Sequence, residues 1–123
     1  MRDQRTMLLV DDRRFGLVQF AELARSRGLH SVGYCTSTDS MLYECDRLRP
    51  DVVVMDVGVA GTLHPMVAIK RLRRQFPDTR VIATASPSES DLAMEAMTMG
   101  AVDFVLKPFH SRSVTDCLDR WVV

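Results

Sequence analysis

Asp51-Val-Val-Val-Met-Asp56 sets four apolar residues between two aspartates. Neither alternating face of this run is polar, which is the pattern of a strand covered by helices on both sides of a sheet. Two other short apolar runs also end in charge. Met7-Leu-Leu-Val10 is followed by Asp11-Asp12, and Asp103-Phe-Val-Leu106 by Lys107-Pro108. The segments between such runs carry apolar residues at three- and four-residue spacing, as amphipathic helices do. Strands alternating with helices give a parallel sheet with right-handed crossovers, an α/β fold.

Outward from residues 51–56, strand and helix alternate five times. Strands are expected at 7–10, 31–35, 51–55, 80–83 and 103–106. The first helix is expected over 14–27, with Leu17, Phe20, Ala21 and Ala24 on one face and Gly28 as its stop. The second runs over 38–48, with Met41, Leu42, Cys45 and Leu48 inward, and Pro50 ends it. The third opens on Pro65, a residue suited to a first helical turn, and carries Ile69, Leu72 and Phe76 as its stripe. Ser88, with Asp91 three residues on, is read as the cap of the fourth, which Gly100 closes. Val114, Cys117, Leu118, Trp121 and Val122 mark the last. Residues 57–64 form a loop rich in Gly and Ala. There is no internal repeat or low-complexity segment, and residues 1–123 fit a single domain.

Composition narrows the function. Hydrophobic residues make up 46% and charged residues 26%, enough for a real core. Lys and Arg total 16, as do Asp and Glu, so the basic excess expected of a direct nucleic-acid binder is missing. Lys70, Arg71, Arg73 and Arg74 read as a solvated helix face. No apolar stretch approaches a membrane span, and residues 1–6 lack a signal-peptide core, so a cytoplasmic location is expected. Cys35, Cys45 and Cys117 fit no metal spacing and read as buried free thiols in a reducing compartment. His64 and His110 gather no ligand partners in the sequence.

Strand ends of a parallel sheet gather at one edge, where ligands bind. Asp11, Asp12, Asp56 and Lys107 would meet there. Three acids around one point repel each other unless a cation sits among them, and a hard divalent ion such as magnesium suits oxygen ligands. A lysine beside a metal and a carboxylate suggests handling of a phosphoryl group. Each residue also has a plainer reading. Asp11-Asp12 can cap a helix. Asp56 can be a turn residue, Thr84 can serve strand propensity, and Lys107 can be a solvated lysine.

Asp11-Asp12, Asp56, Thr84-Ala85 and Lys107-Pro108-Phe109, in this order and each at a strand end, resemble the receiver domain of bacterial two-component response regulators. The stretch from Ala96 to Phe109 looks especially like receivers that drive transcriptional activators. The resemblance implies a flavodoxin-like five-stranded parallel sheet, strand order 2-1-3-4-5, with helices on both faces. It implies that Asp56 is the phosphoacceptor and that Asp11, Asp12, Asp56 and the Gly58 carbonyl serve Mg2+. Thr84 and Lys107 would contact the phosphoryl group. The peptide before Pro108 is cis in many receivers. Phe104 falls at the place of a switching aromatic, although an ordinary packed aromatic accounts for it equally well. The implied partners are a sensor histidine kinase or phosphotransfer protein, and an output domain beyond residue 123 or a homodimer through the fourth and fifth helices.

The loop departs from the family pattern. Val59 and Ala60 stand where a Met-Pro pair is common, and His64 where glycine is usual. Gly58 and Gly61 are expected to loosen residues 57–64, making the loop mobile and magnesium binding weak. A metal-free pocket is expected to be strained by its three acids. The departure gives one rival reading, a receiver-like interaction module that works without phosphorylation. A second rival is a hydrolase with an aspartyl nucleophile. Such enzymes often carry a second Asp two residues later, and here that residue is Gly58. Nucleotide binding has less support, because no glycine-rich phosphate loop follows the first strand.

Overall fold

The computed structural model describes residues 5–13 and 15–122. Its strands are β1 (Arg5–Val10), β2 (Leu29–Cys35), β3 (Val52–Asp56), β4 (Arg80–Ala85) and β5 (Asp103–Leu106). Its helices are α1 (Val18–Arg25), α2 (Thr38–Leu48), α3 (Pro65–Gln75), α4 (Ser90–Met99) and α5 (Ser111–Trp121). A single 3-10 turn, Pro87–Glu89, precedes α4. The sheet is parallel throughout, in the order β2-β1-β3-β4-β5 expected from the sequence.

All five residues of β3 are buried, and their alternation divides the core in two. Val53 and Met55 face the layer of α2, α3 and α4, where they meet Met41, Ile69, Leu72 and Ala96. Val52 and Val54 face α1 and α5, where they meet Phe20, Ala24, Val114 and Leu118. On that side the rings of Phe20 and Phe109 pack edge to face, with centroids 5.5 Å apart. The three cysteines are buried and unpaired. Burial pushes the thiols of Cys45 and Cys117 up to about 12, so they behave as inert core residues. No helix among the described residues is long and apolar enough to cross a membrane.

The ends of several elements differ from expectation. The expected start of the first helix at Arg14 lies outside the described residues, and α1 begins at Val18. Residues 15–17 form a turn, and Leu17 at the N-cap offers no side-chain acceptor for the first helical N–H groups. β1 reaches back to Arg5, the first described residue of this segment, and Thr6 is tied to Asp51: the Thr6 N–H donates to Asp51 Oδ2 at 2.8 Å, and Thr6 Oγ1 accepts from the Asp51 N–H at 3.1 Å. β2 starts at Leu29, paired with Arg5. β3 and β4 run on to include Asp56, Thr84 and Ala85. Ser88 is not the cap of α4. The turn forms earlier, where the Ser86 N–H donates to Glu89 Oε1 at 2.9 Å. His64 caps α3, its Nδ1 accepting from the Met66 N–H at 3.1 Å.

Candidate functional site

Register assembles the site. Asp56 on β3 pairs with Thr84 on β4, Met55 pairs with Val10, and Thr84 pairs with Val105. The residues just past Val10 and Leu106, namely Asp11 and Lys107, therefore emerge beside Asp56. Lys107 Nζ lies 2.9 Å from Asp56 Oδ1 and 3.0 Å from Asp11 Oδ2. Thr84 Oγ1 donates to Asp56 Oδ1 at 3.2 Å, and the Gly58 N–H donates to Asp56 Oδ2 at 3.0 Å. Both oxygens of Asp56 thus face donors. The Lys107–Pro108 peptide is cis.

The group is shielded from water. Asp11 and Thr84 are fully buried and Asp56 is 4% exposed. Burial disfavours the Lys107 charge, but hydrogen bonds to Asp56 and Asp11, with the charges of both, outweigh it and raise the ammonium's pKa. Lys107 is therefore a fixed cation at neutral pH. Asp11 Oδ1 accepts from the Arg13 N–H at 2.9 Å, which turns the chain away from the site after β1. Tyr34 steadies the same turn by donating to the Arg13 carbonyl at 3.1 Å. Burial, then the Asp11 charge, raises the Tyr34 pKa, so the phenol remains a donor.

Asp12 stands apart. It is exposed, and no three acidic, His or Cys side chains among the described residues are gathered to hold a metal ion. The expected crowding of three acids takes a different form, with Lys107 bridging Asp11 and Asp56 while Asp12 stands in water. The donor chemistry nevertheless fits a hard divalent cation. Asp11 and Asp56 present carboxylate oxygens side by side at Lys107, and the exposed Asp12, next to Asp11 in the chain, can add a third oxygen ligand. Phe104 is half-buried and packs against the core on the α4 side. It also lines, with Lys107 and His110, a cavity of about 630 Å³ beside α5.

The loop at residues 57–64 is tied down, contrary to expectation. The Thr38 N–H donates to the Ala60 carbonyl at 2.9 Å, and Thr38 Oγ1 donates to that of Leu63 at 3.0 Å. The Thr62 N–H donates to Asp39 Oδ2 at 3.0 Å, and its hydroxyl donates to the other oxygen of Asp39. Gly61, at φ +140°, lets the loop approach α2, since a Cβ there would overlap the Thr38 hydroxyl and lie 2.8 Å from its nitrogen. The glycine read as loosening the loop in fact permits its anchoring.

Two site residues escaped the sequence reading. Gly16 lies directly over Asp11, whose carboxylate a Cβ would overlap. Glu89 reaches the site from the 3-10 turn, its Oε2 lying 3.0 Å from where a Gly58 Cβ would stand. The spacing Ser86-Pro-Ser-Glu89 is a capping-box signature that could have located Glu89. Nothing local marks Gly16.

The model of the response regulator receiver domain matches residues 7–119, so the chain belongs to that family, a class of phosphoacceptor signalling modules. Chemotaxis protein CheY of Thermotoga maritima is 26% identical over 114 residues, covering 93% of this chain and 94% of that one. Response regulator GacA of Pseudomonas viridiflava is 33% identical over 104 residues, covering 82% of this chain but 47% of that one. Among solved structures, the receiver domain of NtrX from Brucella abortus superposes with a TM-score of 0.83 at 23% identity, covering 94% of this chain and 97% of that one. A response regulator from Thermotoga maritima gives a TM-score of 0.83 at 24% identity, covering 97% and 98%. At these identities the structures speak for the fold.

Proposed function

We propose that Asp56 is the phosphoacceptor of this receiver and that Thr84 and Lys107 hold the transferred group. The observation that carries this reading is the convergence on Asp56 Oδ1 of Lys107 Nζ at 2.9 Å and Thr84 Oγ1 at 3.2 Å. In the transfer, an Asp56 oxygen attacks the phosphorus of a phosphohistidine on a sensor kinase or phosphotransfer protein. A P–O bond forms, the P–N bond breaks, and its electron pair stays on the imidazole. Lys107 meets the charge on the phosphoryl oxygens, and Thr84 donates its hydroxyl to one of them. Asp11, Asp12, Asp56 and the Gly58 carbonyl are the groups that would hold Mg2+, which supplies further neutralisation of phosphoryl charge when bound.

The chain's own chemistry is confined to gaining and losing this group. Residues 1–123 form one receiver, and the added charge acts through Thr84 and Phe104 on the surface of α4 and α5. Its output is then a further domain, as the partial match to GacA suggests, or a homodimer through that surface. The inert buried thiols suit a cytoplasmic location. The test is chemical. After incubation with acetyl phosphate and magnesium, borohydride reduces an aspartyl phosphate to homoserine, which peptide mass spectrometry can place. Homoserine at position 56 is the expected result, and homoserine at another aspartate contradicts the assignment.

A further inference from the structure

We propose that Glu89 is an electrostatic gate at the phosphoacceptor, setting how readily anionic phosphoryl donors reach Asp56. The inference rests on the reading of Asp56 given above. A Cβ placed on Gly58 would stand 3.0 Å from Glu89 Oε2 and 3.2 Å from Asp56 Oδ2. The two carboxylates therefore face the same side-chain-sized space, and glycine at position 58 leaves that space open. Glu89 is held there rather than tethered elsewhere. Its Oε1 accepts the Ser86 N–H at 2.9 Å, and its own N–H donates to the Ser86 carbonyl at 2.8 Å. This orientation leaves Oε2 turned towards the site. Lys107 contacts Asp56 through Oδ1, whereas Glu89 approaches from the Oδ2 side, beside the exposed Gly58.

A donor such as acetyl phosphate arrives with negative charge on its phosphoryl oxygens. In the transfer, an Asp56 oxygen bonds to phosphorus, the bond from phosphorus to the acetyl oxygen breaks, and acetate leaves with that electron pair. Negative charge is carried into the space beside Glu89, where a fixed carboxylate raises the energy of both the approach and the transition state. Gln in place of Glu keeps the acceptor for the Ser86 N–H and removes the charge.

The experiment measures initial rates of phosphorylation by acetyl phosphate, with magnesium, for the unaltered protein, Glu89→Gln and Glu89→Ala. At low salt both variants should react about three- to tenfold faster, because a like charge a few ångströms away that acts largely through water has an effect of that order. The advantage should shrink in high salt, where screening weakens the repulsion in the unaltered protein. An effect on the cap alone would separate Ala from Gln and would not respond to salt. Equal or slower rates in Glu89→Gln, with the mass gain still dependent on Asp56, overturn the gate and leave the phosphoacceptor reading intact. A gain that survives Asp56→Asn overturns both.

Discussion

Gly16 sits directly against Asp11, so close that a Cβ on Gly16 would overlap the Asp11 carboxylate. The turn before α1 therefore closes over this acid, which is fully buried although it is charged and holds Lys107. Gly16→Ala should force the turn away from Asp11 and destabilise the protein by about 1–3 kcal/mol, the usual cost of overpacking. Urea unfolding measures this. A midpoint equal to that of the unaltered protein would show that the turn yields freely.

Lys107 stabilises the fold as well as serving the site. Lys107→Met leaves the buried carboxylates of Asp11 and Asp56 without their shared cation. The loss should fall near the lower end of the about 3–5 kcal/mol seen when a buried pair loses one partner, because Lys107 keeps some contact with water. The folded-state pKa of Lys107 lies above its ordinary 10.5, so its contribution is complete below that value and fades as pH rises through the higher folded one. The stability gap between the two proteins should hold from neutral pH to mildly alkaline pH and narrow as pH rises above the ordinary 10.5. A gap that widens there would contradict the ion pairs.

Asp12 separates metal binding from stability. Because its side chain is exposed, Asp12→Asn should change metal-free stability by less than about 0.5 kcal/mol. Magnesium should raise the melting temperature of the unaltered protein by mass action and do so less in the variant. Equal magnesium responses would remove Asp12 from the metal set.

The loop after β3 offers a pH test. The Thr62 hydroxyl and then its N–H hold the Asp39 carboxyl below its usual range. A depressed folded pKa means that the contact is fully present above the ordinary 3.8 and is lost as pH falls through the lower folded value. Amide exchange at Thr62 should show protection at neutral pH, and that protection should weaken in Asp39→Ala and under acid. Fast exchange at neutral pH in the unaltered protein would restore the mobile loop that the sequence suggests.

Most of the fold was legible because burial writes itself into sequence. Residues 52–55 are apolar on both faces because both faces of β3 are covered, and the charged residues after three such runs mark the sheet edge. Asp11, Asp56 and Lys107 could be placed together because parallel register carries strand ends to one edge, and Thr84 was placed with them by the resemblance to receivers. Close approach of backbone was not legible. Gly16 fell within the expected first helix and Gly61 read as loosening its loop, and only the packed chain shows Asp11 and Thr38 against them. The start of α1 was missed because Leu17 supplies no capping oxygen, so helical periodicity ran on upstream without a stop. Asp12 looked equivalent to Asp11. The turn that buries one and exposes the other depends on the hydrogen bond from the Arg13 N–H to Asp11.

Transfer of a phosphoryl group to Asp56 is the step on which the proposed function depends. Intact-mass spectrometry after incubation with acetyl phosphate and magnesium tests it most directly, comparing the unaltered protein with Asp56→Asn. The unaltered protein should gain the mass of one phosphoryl group, and the variant should gain none. An equal gain in Asp56→Asn, or no gain in the unaltered protein under conditions where it is folded and magnesium-bound, would contradict the account.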